Sequence, residues 1–141
     1  MSGQVSDPSR ALRTLSESRR REKAQTLFYR ALAADAELAM DADASERLNE
    51  LHADEQHHLS RLTARILELG GVPEELRDVP TPDAPFETWQ VTAREREADE
   101  VGWYEEALGG DMDAESRRTL SEILESERRH HAELRGKWMS A

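Results

Sequence analysis

One signature is written twice along these 141 residues. Glu22 is followed seven positions on by Tyr29, then by Met40-Asp41-Ala42, Leu48 and Glu55-x-x-His58 with Leu62. Glu97 is followed in the same order by Tyr104, Met112-Asp113-Ala114, Leu120 and Glu127-x-x-His130 with Leu134. A duplication with helical periodicity in both copies constrains the chain to two like helical hairpins packed on each other, since one hairpin alone leaves its apolar stripe in water. The second copy is the shorter: 33 positions separate Glu22 from Glu55, and 30 separate Glu97 from Glu127. Glu95 is therefore an alternative to Glu97 at the matched place.

The punctuation agrees with four helices. Asp7-Pro8 suits a cap and first position, after which Leu12, Leu15, Glu22, Tyr29, Leu32 and Ala36 recur at helical intervals to about Met40. Asp43 with Glu46 reads as a capping box for a second helix whose stripe is Leu48, Leu51, Glu55, His58, Leu62, Ile66 and Leu69, ending at Gly70-Gly71. Pro73, Pro80, Pro82 and Pro85 cannot continue a helix, so about 71–85 is a crossover. A third helix runs from about Phe86 to Leu108 and stops at Gly109-Gly110. The fourth begins near 111–113 and turns Leu120, Ile123, Glu127, His130 and Leu134 inward. The expectation is all-α: one domain over 1–141, with hairpins at about 9–70 and 86–138 joined by one long connection rather than a simple up-down bundle.

Composition narrows the chemistry. No cysteine is present, which excludes disulfides, thiolate-held zinc, iron–sulfur clusters and thiol nucleophiles, so any metal must sit on oxygen and nitrogen. A net charge of -11 argues against nucleic acid or an anionic membrane as partner, because both would repel most of the surface. No segment reads as a signal peptide or a membrane span, which makes a cytoplasmic protein the expectation.

Side chains at i and i+3 share a helix face, so Glu-x-x-His places a carboxylate and an imidazole side by side on one metal. With five histidines, about one such pair arises by chance in a chain this acidic, but two copies in one register do not. Both pairs fall where the apolar stripe otherwise demands leucine, seven residues from Leu48 and Leu62 and from Leu120 and Leu134. Four buried carboxylates without cations are severely unfavourable. Glu22, Glu55, His58, Glu97, Glu127 and His130 are accordingly the expected ligands of two divalent ions roughly 3.5–4 Å apart, with Glu55 and Glu127 able to bridge. Oxygen-rich ligation suits iron or manganese.

Other positions stay open. Glu100 lies one turn beyond Glu97, where the first copy has Gln25, and is either a seventh ligand or an exposed glutamate. Tyr29 and Tyr104 can hydrogen-bond a ligand carboxylate or simply pack in the core. His52, matched by Leu124, and His57 and His131 are read as non-ligands. Phe28, Trp103, Trp89 and Trp138 are read as packing residues, and Arg19-Arg20-Arg21 as a solvated face.

On the ordered set Glu22, Glu55-x-x-His58, Glu97 and Glu127-x-x-His130, the stretch from about Glu22 to Leu134 resembles the rubrerythrin and bacterioferritin branch of the ferritin-like superfamily. The resemblance implies a di-iron centre on those six residues. It also implies a ligand role for Glu100, which matches the extra carboxylate of rubrerythrins, and exchange between Glu100 and His58 as the iron changes oxidation state. Cys-x-x-Cys is lacking, so electrons are expected from another protein or from Fe(II) itself. Gln56 stands where bacterioferritins carry their haem-ligating methionine, so no haem is expected. No counterpart of the short fifth helix of cage-forming ferritins is expected after the fourth helix, which weakens the expectation of a storage cage.

The implied function is oxidation of Fe(II) by peroxide or dioxygen, with Tyr29, Tyr104 and Glu100 assisting at the centre. The alternatives are an iron-sequestering protein and a metal-stapled interaction module without turnover. Surplus aromatic and apolar residues near the bundle ends suggest a homodimer or higher homo-oligomer.

Overall fold

The computed structural model describes residues 8–136, so Asp7 and Trp138 lie outside the described residues. Four helices follow one another: α1 (Pro8–Leu38), α2 (Ala42–Glu68), α3 (Trp89–Ala107), preceded by a 3-10 turn at Phe86–Thr88, and α4 (Ala114–Gly136). α1 pairs with α2 and α3 with α4, and an extended crossover joins the two hairpins. No helix among the described residues is long and apolar enough to cross a membrane.

The repeated Met-Asp-Ala triplets turn out to be helix starts. Asp41 Oδ1 accepts the amide of Ala44 at 3.0 Å, and Asp113 Oδ2 accepts the amide of Ser116 at 3.0 Å, each occupying an otherwise orphaned donor of the first turn. The cap of α2 is therefore Asp41, two residues before the expected Asp43. The reason is the tightness of the preceding turn. Met40 takes a left-handed conformation (φ 57°), the Met40 amide bonds Glu37 O and the Asp41 amide bonds Ala36 O, so α1 closes on Asp41 and α2 opens from it. Gly70 (φ 82°) ends α2 in the same way, with the Gly71 amide on Ile66 O.

The core comes in two parts. Phe28, Leu32, Ala36, Leu48, Leu51, Trp89, Ala93 and Leu134 pack at one end of the bundle. Ala11, Leu15, Leu62, Ile66, Leu120 and Ile123 pack at the other. Along every helix the Glu and His positions fall between these two sets, so a buried polar layer is enclosed by apolar side chains above and below.

The run Arg19-Arg20-Arg21 differs from its expected solvated role. Arg19 donates to Thr63 Oγ1 (2.8 Å) and Glu74 O (2.7 Å), Arg20 to Asp78, and Arg21 to Glu100. Successive residues of a helix point 100° apart. The three guanidiniums therefore tie α1 to α2, to the crossover and to α3 separately.

Candidate metal centre

Each helix delivers its part by spacing alone. Glu55 and His58, like Glu127 and His130, stand one turn apart on the inward faces of α2 and α4, while α1 and α3 bring Glu22 and Glu97 from the opposite side. All six are buried; the four carboxylates have no measurable exposure. Glu97 is enclosed and Glu95 exposed, so Glu97 is the one of the two that joins the buried cluster.

The side-chain oxygen and nitrogen atoms of these residues form two overlapping quartets. Glu22, Glu55, His58 and Glu127 offer atoms within 4.8 Å of one another, and so do Glu55, Glu97, Glu127 and His130. Glu55 and Glu127 belong to both quartets. Each histidine turns Nδ1 into the cluster. His58 Nδ1 lies 3.2 Å from Glu22 Oε1 and 3.0 Å from Glu55 Oε1; His130 Nδ1 lies 3.1 Å from Glu127 Oε1 and 3.7 Å from Glu97 Oε1. The two rings lie 6.4 Å apart, centroid to centroid.

Three carboxylate oxygens, Glu55 Oε2, Glu97 Oε1 and Glu127 Oε2, are buried without a hydrogen-bond partner. Leaving such atoms unpaired is costly in the absence of a cation. Four carboxylates would be balanced by two divalent cations, and donor type, number and spacing all fit such a pair.

Electrostatics tell the same story. Burial, followed by the charges of neighbouring carboxylates, pushes the pKa of Glu55 and Glu127 well above the usual carboxylate range. Burial also acts to raise Glu22, but hydrogen bonds and charge from His58, with help from Tyr104, outweigh it and hold Glu22 below its ordinary value. His130 is pushed up to about 11: burial opposes its charge, yet Asp54, Glu127 and Glu97 together overcome that opposition. In the protein without metal, a proton on His130 thus stands in for part of a cation's charge.

The tyrosines cross the bundle. Tyr29 of α1 donates to Glu97 Oε2 at 2.5 Å, and Tyr104 of α3 donates to Glu22 Oε2 at 2.6 Å, with Ser18 Oγ 2.7 Å from the Tyr104 hydroxyl. Each phenol takes the outer oxygen of a carboxylate and leaves the other facing the cluster. Burial raises the pKa of both phenols well above 10, so both remain protonated donors.

Glu100 is buried but belongs to neither quartet; Arg21 holds it at 3.2 and 3.1 Å. Burial lifts its pKa to about 7 despite the guanidinium. Beside it a cavity of about 230 Å³ opens between α1 and α3, lined by Arg21, Ala24, Arg96, Asp99 and Glu100. His52, His57 and His131 stand outside both quartets.

Sequence reasoning did not single out Asp54, Arg96 or the role of Gln25. Asp54 Oδ2 lies 2.8 Å from His130 Nε2, fixing the ring so that Nδ1 faces the cluster. Its hydrogen bond to His130 lowers the Asp54 pKa. The available signal was its place directly before Glu55, although the second copy has Ser126 there. Arg96 Nε donates to Gln25 Oε1 at 2.6 Å, and Gln25 Nε2 donates to Glu97 Oε2 at 3.2 Å.

Comparison with known proteins places this geometry. No protein-family model matches the chain, and no curated protein matches it in sequence. Among solved structures, the Mycobacterium tuberculosis bacterioferritin BfrA superposes with a TM-score of 0.83 at 20% identity, over 94% of this chain and 85% of that one. A Desulfovibrio desulfuricans bacterioferritin, described with its diiron site in different catalytic states, gives 0.80 at 20% identity over 91% and 77%. The dodecameric thioferritin of Bacteroides fragilis, a bacterioferritin-related protein, gives 0.80 at 23% identity over 94% and 86%. The chain is therefore a ferritin-like four-helix bundle, with the fold of the bacterioferritins and a buried carboxylate and histidine cluster at its centre.

Proposed function

We propose that the cluster is a di-iron centre, with manganese as the other metal its ligands suit, and that the protein oxidises Fe(II) using dioxygen or peroxide. Glu22, Glu55, His58, Glu97, Glu127 and His130 would hold the two ions, with Glu55 and Glu127 shared between them. The observation that carries this reading is the set of three partnerless carboxylate oxygens inside two overlapping ligand quartets. When bound, iron would supply the electron-transfer chemistry that the side chains lack.

The chain's own residues prepare the site. Tyr29 and Tyr104 orient Glu97 and Glu22, Asp54 orients His130, and the two apolar core sections exclude bulk water. Glu100, with its pKa near 7, can hold or release a proton at the edge of the cavity. That cavity is the natural approach for a small oxidant. The D. desulfuricans relative's diiron site supports the choice of iron.

Anaerobic titration with Fe(II), followed by separate addition of dioxygen and hydrogen peroxide, tests the reading. Two Fe(II) per chain and oxidation by at least one oxidant are expected; failure to bind Fe(II) overturns it. Iron sequestration is the second reading, favoured by the dodecameric assembly of the B. fragilis relative. A homo-oligomer is proposed in either case. A large shell retaining iron well beyond two ions per chain supports sequestration, whereas a dimer with stoichiometric iron supports catalysis.

A further inference from the structure

The surroundings of the two lone glutamates repeat across α1 and α3, with one aromatic residue exchanged for another and one amide exchanged for a carboxylate. Arg21 precedes Glu22 and Arg96 precedes Glu97; Gln25 and Glu100 follow one turn later, and Phe28 and Trp103 lie one turn beyond those. Each arginine crosses to the opposite helix, Arg96 over the Phe28 ring at 4.9 Å and Arg21 over the Trp103 ring at 5.2 Å. Each also binds the residue that follows the other helix's glutamate. Arg96 takes the carbonyl oxygen of Gln25, which frees the amide to donate inward to Glu97.

Glu100 cannot copy that arrangement. Arg21 engages both of its oxygens, Nε on Oε1 and a terminal nitrogen on Oε2, so neither is turned toward Glu22 as the Gln25 amide is turned toward Glu97. The Glu100 side chain is 5% exposed and that of Arg21 30%, so the guanidinium reaches in from the cavity rim and Glu100 has little water to turn to.

We propose that Arg21 is a positioning residue that keeps Glu100 in reserve: its guanidinium fork holds a seventh carboxylate off the metal cluster, and the cluster gains that ligand only when the fork releases it. The proposal rests on the cluster being a di-metal centre. Two partners compete for one buried carboxylate. Whatever the fork contributes is subtracted from any bond between Glu100 and a metal, so Arg21 sets both affinity and coordination number. Lysine would supply the charge without the two-point geometry.

The test is anaerobic titration of the whole chain with Co(II), read by calorimetry and by the visible ligand-field bands, for wild type, Arg21→Gln, Arg21→Lys and Arg21→Gln/Glu100→Gln. Wild type is expected to bind two Co(II) per chain. Arg21→Gln should bind one of them about tenfold more tightly, the scale on which groups holding metal ligands act. Its bands should weaken as coordination number rises. Arg21→Lys should fall between, and the double variant should return to wild-type affinity or below.

An Arg21→Gln isotherm and spectrum identical to wild type overturn the proposal while leaving the metal centre intact. So does a double variant that keeps the full gain. If Arg21→Gln does not fold, Arg21→Lys alone must show a tighter site and altered bands, or the proposal fails. A wild-type chain that binds no Co(II) overturns the metal centre and the proposal with it.

Discussion

Tyr29 on α1 and Glu97 on α3 share a 2.5 Å hydrogen bond through the middle of the bundle, although 68 positions separate them. Together with the bond from Tyr104 to Glu22, it makes each hairpin orient the lone glutamate of the other. Tyr29→Phe should therefore leave the helices in place but free Glu97 Oε2 from its shortest bond. Loss of a buried bond to a charged acceptor costs roughly 1.5–3 kcal/mol. Metal affinity should drop about 10–100-fold, as for other groups that hold ligands in place. Calorimetric titration with Mn(II) checks this; unchanged affinity would show that the phenol merely fills space.

Glu127 belongs to both quartets, and its Oε2 has no hydrogen-bond partner. Metal that binds only the folded state adds about 2.7 kcal/mol at a hundredfold excess over Kd. Glu127→Leu should abolish that gain. The metal-free variant should be as stable as wild type or more so, since an apolar group replaces a buried acid among like charges. Melting curves with chelator and with Mn(II) decide the matter, and a variant that keeps the full metal-induced shift would exclude Glu127 from the site.

The fold and the cluster could be read from the chain because both depend on positions within single helices. Glu55 and His58 interrupt a leucine stripe, and Glu127 and His130 interrupt it again in the same register. What could not be read depends on how one helix faces another. Which glutamate Tyr29 reaches, that Arg21 turns to Glu100 and not to solvent, and that Asp54 supports His130 from a different hairpin all follow from helix rotation and axial offset. The shift of the α2 cap from Asp43 to Asp41 has another source, a left-handed methionine, a conformation that propensity assigns to glycine or asparagine.

The metal-free protein should lose stability as pH rises. Burial and neighbouring carboxylates raise the folded-state pKa of Glu55 and Glu127 above 4.5, and carboxylate partners raise that of His130 from 6.5 to about 11. In each case the folded protein binds more protons than the unfolded chain between the two values, so stability falls with increasing pH across that window. Glu22 is shifted downward and acts in the opposite sense only below 4.5. Melting temperatures in chelator should decline from about pH 6 to about pH 9. Metal binding requires deprotonated ligands, so the gain from Mn(II) should grow over the same range. A flat metal-free profile would show that these groups do not share the cluster's charge as described.

Met40 offers a test of the fold that leaves the site untouched. Its φ of 57° places a side chain that is 90% exposed in a left-handed conformation, so the residue contributes little packing and carries backbone strain. For L-residues that strain is about 1–2 kcal/mol, whereas glycine adopts the conformation freely. Glycine also loosens the unfolded chain, which offsets about 0.4–1 kcal/mol of the gain. Met40→Gly should stabilise the protein by about 0.5–1 kcal/mol, or about 2–4 °C in melting temperature for a chain of this size. Met40→Val should act in the opposite direction, because a β-branched side chain tolerates positive φ least. Neither substitution lies near the buried glutamates, so the metal-induced shift should be equal in all three proteins. A glycine variant less stable than wild type would mean that Met40 has a packing partner or that the turn does not close as described.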